Sequence, residues 1–145
     1  KLGGKKFPRP KIVYHGQVDF KKMIDIYRTA DICLHLCKRD SCPSSVVEAI
    51  AAGIPVVTTN ACGGATEMCR LTEGCVVVDG ESESLEPVYA YKNEFNKMSR
   101  QFAKRIAKNM VKVVKNKVRV ALPKELTINH TAKQYLNLME KVIQK

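Results

Sequence analysis

The chain has 145 residues, 45% hydrophobic and 27% charged, with a formal net charge of +11. This balance describes a single ordinary globular domain with a real core and excludes a fibrous or disordered chain. No run of about 18 apolar residues occurs and no signal-peptide pattern opens the sequence, so neither a transmembrane helix nor a leader is expected.

In chain order, residues 1–10 are basic and carry Gly3, Gly4, Pro8 and Pro10, which reads as a linker. Residues 11–80 hold an alternating strand and helix pattern. A short strand is expected at Ile12–His15, ended by Gly16. A helix then starts at Gln17 or Asp19 and runs to about Ala30. Its apolar face is Met23, Ile26, Tyr27 and Ala30. Ile32–Cys37 is nearly all apolar and reads as a strand buried on both faces, with His35 as a satisfied core histidine. A helix from about Ser44 to Ala52 follows, stopped by Gly53. Ser45 and Glu48 fit a capping box, in which each side chain satisfies a free backbone N–H.

Ile54–Thr59 is a further β-branched strand. Ala61–Gly64 reads as a loop, Ala65–Leu71 as a short helix and Cys75–Val78 as a fourth strand, closed by Asp79-Gly80. Residues 81–87 are acidic and polar and suggest a surface turn. Residues 90–145 carry the C-terminal helices. One is expected from Lys92 to Val118, with Phe95, Met98, Phe102, Ile106, Met110 and Val113 on one face. The last spans Asn129–Ile143, with Ala132, Tyr135, Leu136, Met139, Val142 and Ile143 as its stripe. Strands alternating with helices through short connections predict an α/β domain with a parallel sheet flanked by helices.

The charge is uneven. Between Lys92 and Arg119 stand ten Lys or Arg and one acid, Glu94. Such a segment serves as a solvated helix face or meets an anionic partner. Its only interleaved aromatics, Phe95 and Phe102, fall on the expected core face, so no nucleic-acid partner is expected. The six cysteines form no C-x-x-C pair, and the three His complete no zinc-finger spacing. Reduced thiols in the cytoplasm and no metal are expected.

Ligands of open α/β sheets sit at the carboxyl ends of the strands. The loops expected there are Gly16-Gln17-Val18, Lys38–Ser45 and Asn60–Gly64. The middle loop leads into a helix N-terminus at Ser44 and Ser45, where free N–H groups favour a phosphate. Gly63 and Gly64 permit close backbone approach. Neither G-x-G-x-x-G nor a P-loop lysine motif is present. Asp40 and Glu48 face one cleft in this reading, and carboxylates suit the paired hydroxyls of sugars.

From about Lys11 to Val78 the chain closely resembles the C-terminal, donor-binding domain of family 4 (group 1) retaining glycosyltransferases of the GT-B fold. The residues that carry the resemblance are Ile12-Val13-Tyr14-His15-Gly16, Tyr27-Arg28-Thr29-Ala30-Asp31, Glu48-Ala49-Ile50-Ala51-Ala52-Gly53-Ile54-Pro55-Val56-Val57 and Gly63-Gly64-Ala65-Thr66-Glu67. The family's E-x7-E appears as Asp40-x7-Glu48. The closing helix with Tyr135 is weakly similar to the family's last helix, which crosses to the other domain.

The resemblance implies a Rossmann-like domain, residues 1–145, that binds a UDP-, GDP- or ADP-linked sugar and hands it to an acceptor with retention of configuration. It implies that Glu48 holds the ribose hydroxyls and that Asp40, the candidate catalytic residue, contacts the transferred sugar. Ser44, Ser45 and Val46 would offer N–H groups to sugar or diphosphate. Gly16 and Val18 would lie near the base, and Gly63 and Gly64 would line the donor site. Catalysis in such enzymes uses no metal and no cofactor beyond the donor. Asp in place of the first Glu is one methylene shorter and shifts the sugar contact. An N-terminal acceptor domain, absent from this sequence, is the expected partner, with an acceptor of lipid-linked, glycan or protein type. The basic helix adds an anionic membrane surface on the cytoplasmic side as an expected partner. The alternative is a non-catalytic module of the same fold that binds protein or membrane.

Overall fold

A computed structural model describes residues 12–37, 40–80 and 99–143. The elements are α1 (Phe20–Thr29), β1 (Cys33–His35), α2 (Ser44–Ala51), β2 (Val56–Thr59), α3 (Gly63–Leu71), β3 (Val76–Val78), α4 (Arg100–Lys115), a single 3-10 turn (Lys124–Leu126) and α5 (Ile128–Ile143). The strands form a parallel sheet in the order β1-β2-β3. Cys33 pairs with Val56 in β1 and β2, and Val57 pairs with Val76 in β2 and β3.

Every residue of the central strand β2 is buried, and its side chains alternate between two cores. Val56 joins Val46, Ala49, Ile50, Ala65 and Met68 under α2 and α3. Val57 joins Val78, Ile106 and Val113 under α4. Both crossover helices lie on one face because both connections step the same way across the sheet. The fold is therefore a helix–sheet–helix sandwich of Rossmann-like α/β type.

The apolar periodicity of α4 is realised: Phe102, Ile106, Met110 and Val113 pack in the core against the sheet, while the Lys and Arg residues are exposed. The expected start at Lys92, with Phe95 and Met98, lies outside the described residues, as do the turn at 81–87 and the linker at 1–10. After α4 the chain returns to the other core. There Val120, Leu122 and Leu126 pack, and the Val120 N–H donates to the Gly53 carbonyl at 3.3 Å. Gly53 itself has φ +79, the left-handed stop that α2 needs before β2.

Three expectations are corrected. Ile12–His15 forms no strand: Ile12 is 87% and Tyr14 93% exposed, and no neighbouring strand pairs with this β-prone run. The sheet of the described residues thus has three strands and begins at β1. β1 is not buried on both faces: among the described residues α4 packs mainly on β2 and β3, and Leu34 and Leu36 are exposed. The stripe of α5 has no buried residue, and its main contact is the preceding 3-10 turn.

Candidate functional site

The carboxyl ends of β1 and β2 carry the residues of interest. β1 ends at His35, and at Asp40 the carboxylate Oδ1 accepts from the Cys42 N–H at 3.1 Å. This Asx-type bond turns the chain towards α2. Pro43 is the N-cap of α2 and makes no side-chain capping bond. Val46 N–H donates to the Pro43 carbonyl at 3.1 Å, and the Val46 side chain is fully buried. Among the described residues, the N–H groups of Ser44 and Ser45 have no acceptor, and Ser44 is exposed. Among the described residues the helix N-terminus therefore presents two N–H groups without an acceptor, and Val46 is not one of them.

The capping box is not made. Helix α2 begins one residue before Ser45, so Glu48 lies beyond the first turn and cannot reach back to a free N–H. Its Oε2 accepts instead from the Tyr27 hydroxyl at 3.2 Å, and that hydroxyl is 3.3 Å from the Ser45 carbonyl. Burial, and then the Glu48 charge, push the Tyr27 phenol up to about 12. α1 thus positions Glu48 from a distance of 21 residues in sequence. Glu48's other oxygen has no partner among the described residues.

Gly63 and Gly64 are not loop residues but open α3. Gly63 has open space around it. Gly64 is packed against the backbone of the 40–42 loop: a Cβ there would collide with the Ser41 carbonyl oxygen and lie 2.6 Å from its carbon. The Gly64 N–H donates to the Asp40 carbonyl at 3.2 Å, and the Cys62 thiol lies 3.8 Å from the same oxygen. The space between Asp40 and Gly64 is therefore filled by a backbone contact.

Gly16 has φ +62 and is exposed, and Val18 is half-buried. No hydrogen bond ties either to Asp40, Glu48 or α2 among the described residues, and without a first strand their loop does not lie at the end of a sheet strand.

Two features escape sequence reading. His35 is not a satisfied core histidine: its Nε2 is buried with no hydrogen-bond partner among the described residues. An open groove of about 550 Å³ lies at the end of β3, lined by Val77, Val78, Asp79, Arg105, Lys108, Asn109 and Lys112. Arg105 donates to the Asp79 carbonyl and lies 5.6 Å from the centre of the Phe102 ring. The spacing of Arg105, Lys108 and Lys112 along one side of α4 was readable in sequence, but not its meeting with β3. Among the described residues no helix is long and apolar enough to cross a membrane.

Comparison with curated proteins and with solved structures finds no significant match. A family model described as glycosyl transferases group 1 matches residues 4–109, most of the chain and all of the parallel sheet. The match spans the Asp40–Glu48 stretch, the glycines that open α3 and the crossover helices around them. The chain belongs to the glycosyl transferases group 1 family.

Proposed function

We propose that the chain is the donor-binding half of a family 4 retaining glycosyltransferase of the GT-B fold, holding a nucleotide-activated sugar over Asp40 and the start of α2. The observation that carries this reading is the state of Glu48 within a group 1 transferase domain. It is released from capping, braced on one oxygen by Tyr27 and open on the other. A carboxylate held in this way accepts hydrogen bonds from a ribose diol without first having to be ordered. The free N–H groups of Ser44 and Ser45, with the dipole of α2 behind them, suit the diphosphate. Asp40 would then lie by the transferred sugar, and positive side chains would stabilise the departing diphosphate.

The uncovered apolar stripe of α5, with Tyr135 65% and Ile143 80% exposed, supports completion of the enzyme by a further acceptor-binding part. The outward cations of α4 suit an anionic membrane surface carrying the acceptor. The six free thiols suit the cytoplasm.

The roles of the two acids separate by experiment. Asp40→Asn is expected to weaken binding of the nucleotide sugar while leaving the bare nucleotide unaffected, as saturation-transfer NMR would read. Equal weakening of both would remove Asp40 from the sugar and with it the proposed geometry.

A further inference from the structure

His35, Cys37 and Asp40 are brought together at the end of β1. One ligand atom from each, the imidazole nitrogen, the Cys37 sulfur and a carboxylate oxygen, lies within 4.8 Å of the other two. The placement has a clear origin. Burial alternates along the run: Cys33, His35 and Cys37 are half-buried, while Leu34 and Leu36 are exposed. Residues i and i+2 of an extended chain share a face, so His35 and Cys37 point the same way, inward. The Asp40 carboxylate, which also accepts from the Cys42 N–H, lies beside them.

The imidazole supplies a second, independent observation. Its Nε2 is buried and lacks a hydrogen-bond partner among the described residues. A buried nitrogen of this kind is costly unless it is satisfied, and a metal ion bound at Nε2 would satisfy it as a hydrogen bond would.

We propose that His35, Cys37 and Asp40 form a binding site for a borderline-soft divalent cation, of which Zn²⁺ is the natural occupant. The mixed nitrogen, sulfur and oxygen set suits zinc over calcium or magnesium, which prefer all-oxygen shells. Zinc bonds of roughly 2.0–2.3 Å place tetrahedral ligands about 3.3–3.7 Å apart. The three atoms therefore close by about an ångström, within reach of side-chain rotation. The Cys62 sulfur contacts the Asp40 carbonyl and is not among the three ligands. Among the described residues no fourth ligand joins the three, and a water would complete the tetrahedron as it does in three-ligand zinc sites. Cys37 binds as the thiolate, so its proton leaves to solvent as the metal enters.

Binding of the metal does not depend on the donor reading. One consequence does: because Asp40 serves both, zinc and the sugar donor exclude each other.

Co²⁺ is the probe of choice, being silent neither to thiolate nor to geometry. Titrated into the reduced full chain, it is expected to give a thiolate-to-cobalt charge-transfer band saturating at one ion per chain, and to be displaced by Zn²⁺. Cys37→Ser is expected to abolish that band. His35→Asn and Asp40→Asn are expected to weaken binding at least about tenfold, the size of effect that loss of a ligand or its support brings. Circular dichroism confirms that each variant is folded, and Asp40→Asn, at a half-buried loop position, serves where a strand-end variant does not fold. No charge-transfer band in the wild type, or a band that persists in folded Cys37→Ser, overturns the site, since the sulfur then belongs to another cysteine.

Discussion

Gly64→Ala tests how the 40–42 loop is held. The added methyl would meet the Ser41 carbonyl group, with the carbon at 2.6 Å where ordinary contact begins at 3.4 Å, and the Cys42 nitrogen at 3.1 Å. These are backbone atoms and cannot rotate away, so the loop must retreat by about an ångström in a close-packed setting. Such overpacking costs about 1–3 kcal/mol. The retreat also breaks the Gly64 N–H bond to Asp40, which contributes about 0.5–1.5 kcal/mol. Together these give a loss of about 1.5–4.5 kcal/mol, with Asp40 displaced.

Gly63→Ala is the matched control. Nothing lies within 4 Å of its would-be methyl. Replacing a helical Gly by Ala there should be neutral or stabilising, by up to about 1 kcal/mol. Urea denaturation of both variants, read by circular dichroism, gives the comparison. If Gly64→Ala unfolds at the same urea concentration as Gly63→Ala, the loop is not seated on α3 and the positioning of Asp40 has been misread.

Other consequences follow from single contacts. Tyr27→Phe removes the hydroxyl that braces Glu48 and should cost about 1 kcal/mol at neutral pH, measured by urea denaturation. Because the phenol is raised from 10.0 to about 12 in the folded chain, its contribution is complete below pH 10 and is lost as pH rises from there to 12. Tyr27→Phe should therefore show a shallower fall in stability across that window than the wild type. Ile106→Ala removes a buried contact of α4 with the sheet and should lower stability by about 2–5 kcal/mol, whereas Lys104→Ala on the exposed side should change it by under about 0.5 kcal/mol. A maleimide applied to the folded protein should label Cys42, which is exposed, well before Cys62 and Cys69, which are buried. Peptide mass mapping would show the order.

Much of the core was legible because it rests on local pattern. The β-branched run Ile54–Thr59 and the helical stripe of Phe102, Ile106, Met110 and Val113 predict β2 and α4 with little help from tertiary structure. The failures share a cause, which is that a partner elsewhere decides. Ile12–Tyr14 has strand character but no strand beside it. Leu34 has core character but no helix over it. Ser45 and Glu48 have the spacing of a capping box, yet the N-cap of α2 is Pro43, two residues before Ser45. The bracing of Glu48 by Tyr27 crosses between helices, and neither residue announces the other in sequence. Gly64 was read as freedom for a ligand, but its missing side chain is used by the Ser41 carbonyl. His35, Cys37 and Asp40 carry no recognised metal spacing, and only the fold brings their ligand atoms together.

The central claim is that Glu48, braced by Tyr27, receives the ribose of a nucleotide-activated sugar. Calorimetric titration of the full chain with UDP-, GDP- and ADP-sugars, wild type beside Glu48→Gln, tests it most directly. Gln keeps an acceptor for Tyr27 and removes only the charge. One nucleotide series is expected to bind the wild type and to lose about 10–100-fold in Glu48→Gln, the worth of a charge-assisted hydrogen bond. Equal affinity in both proteins, or binding of none of the three series, contradicts the account.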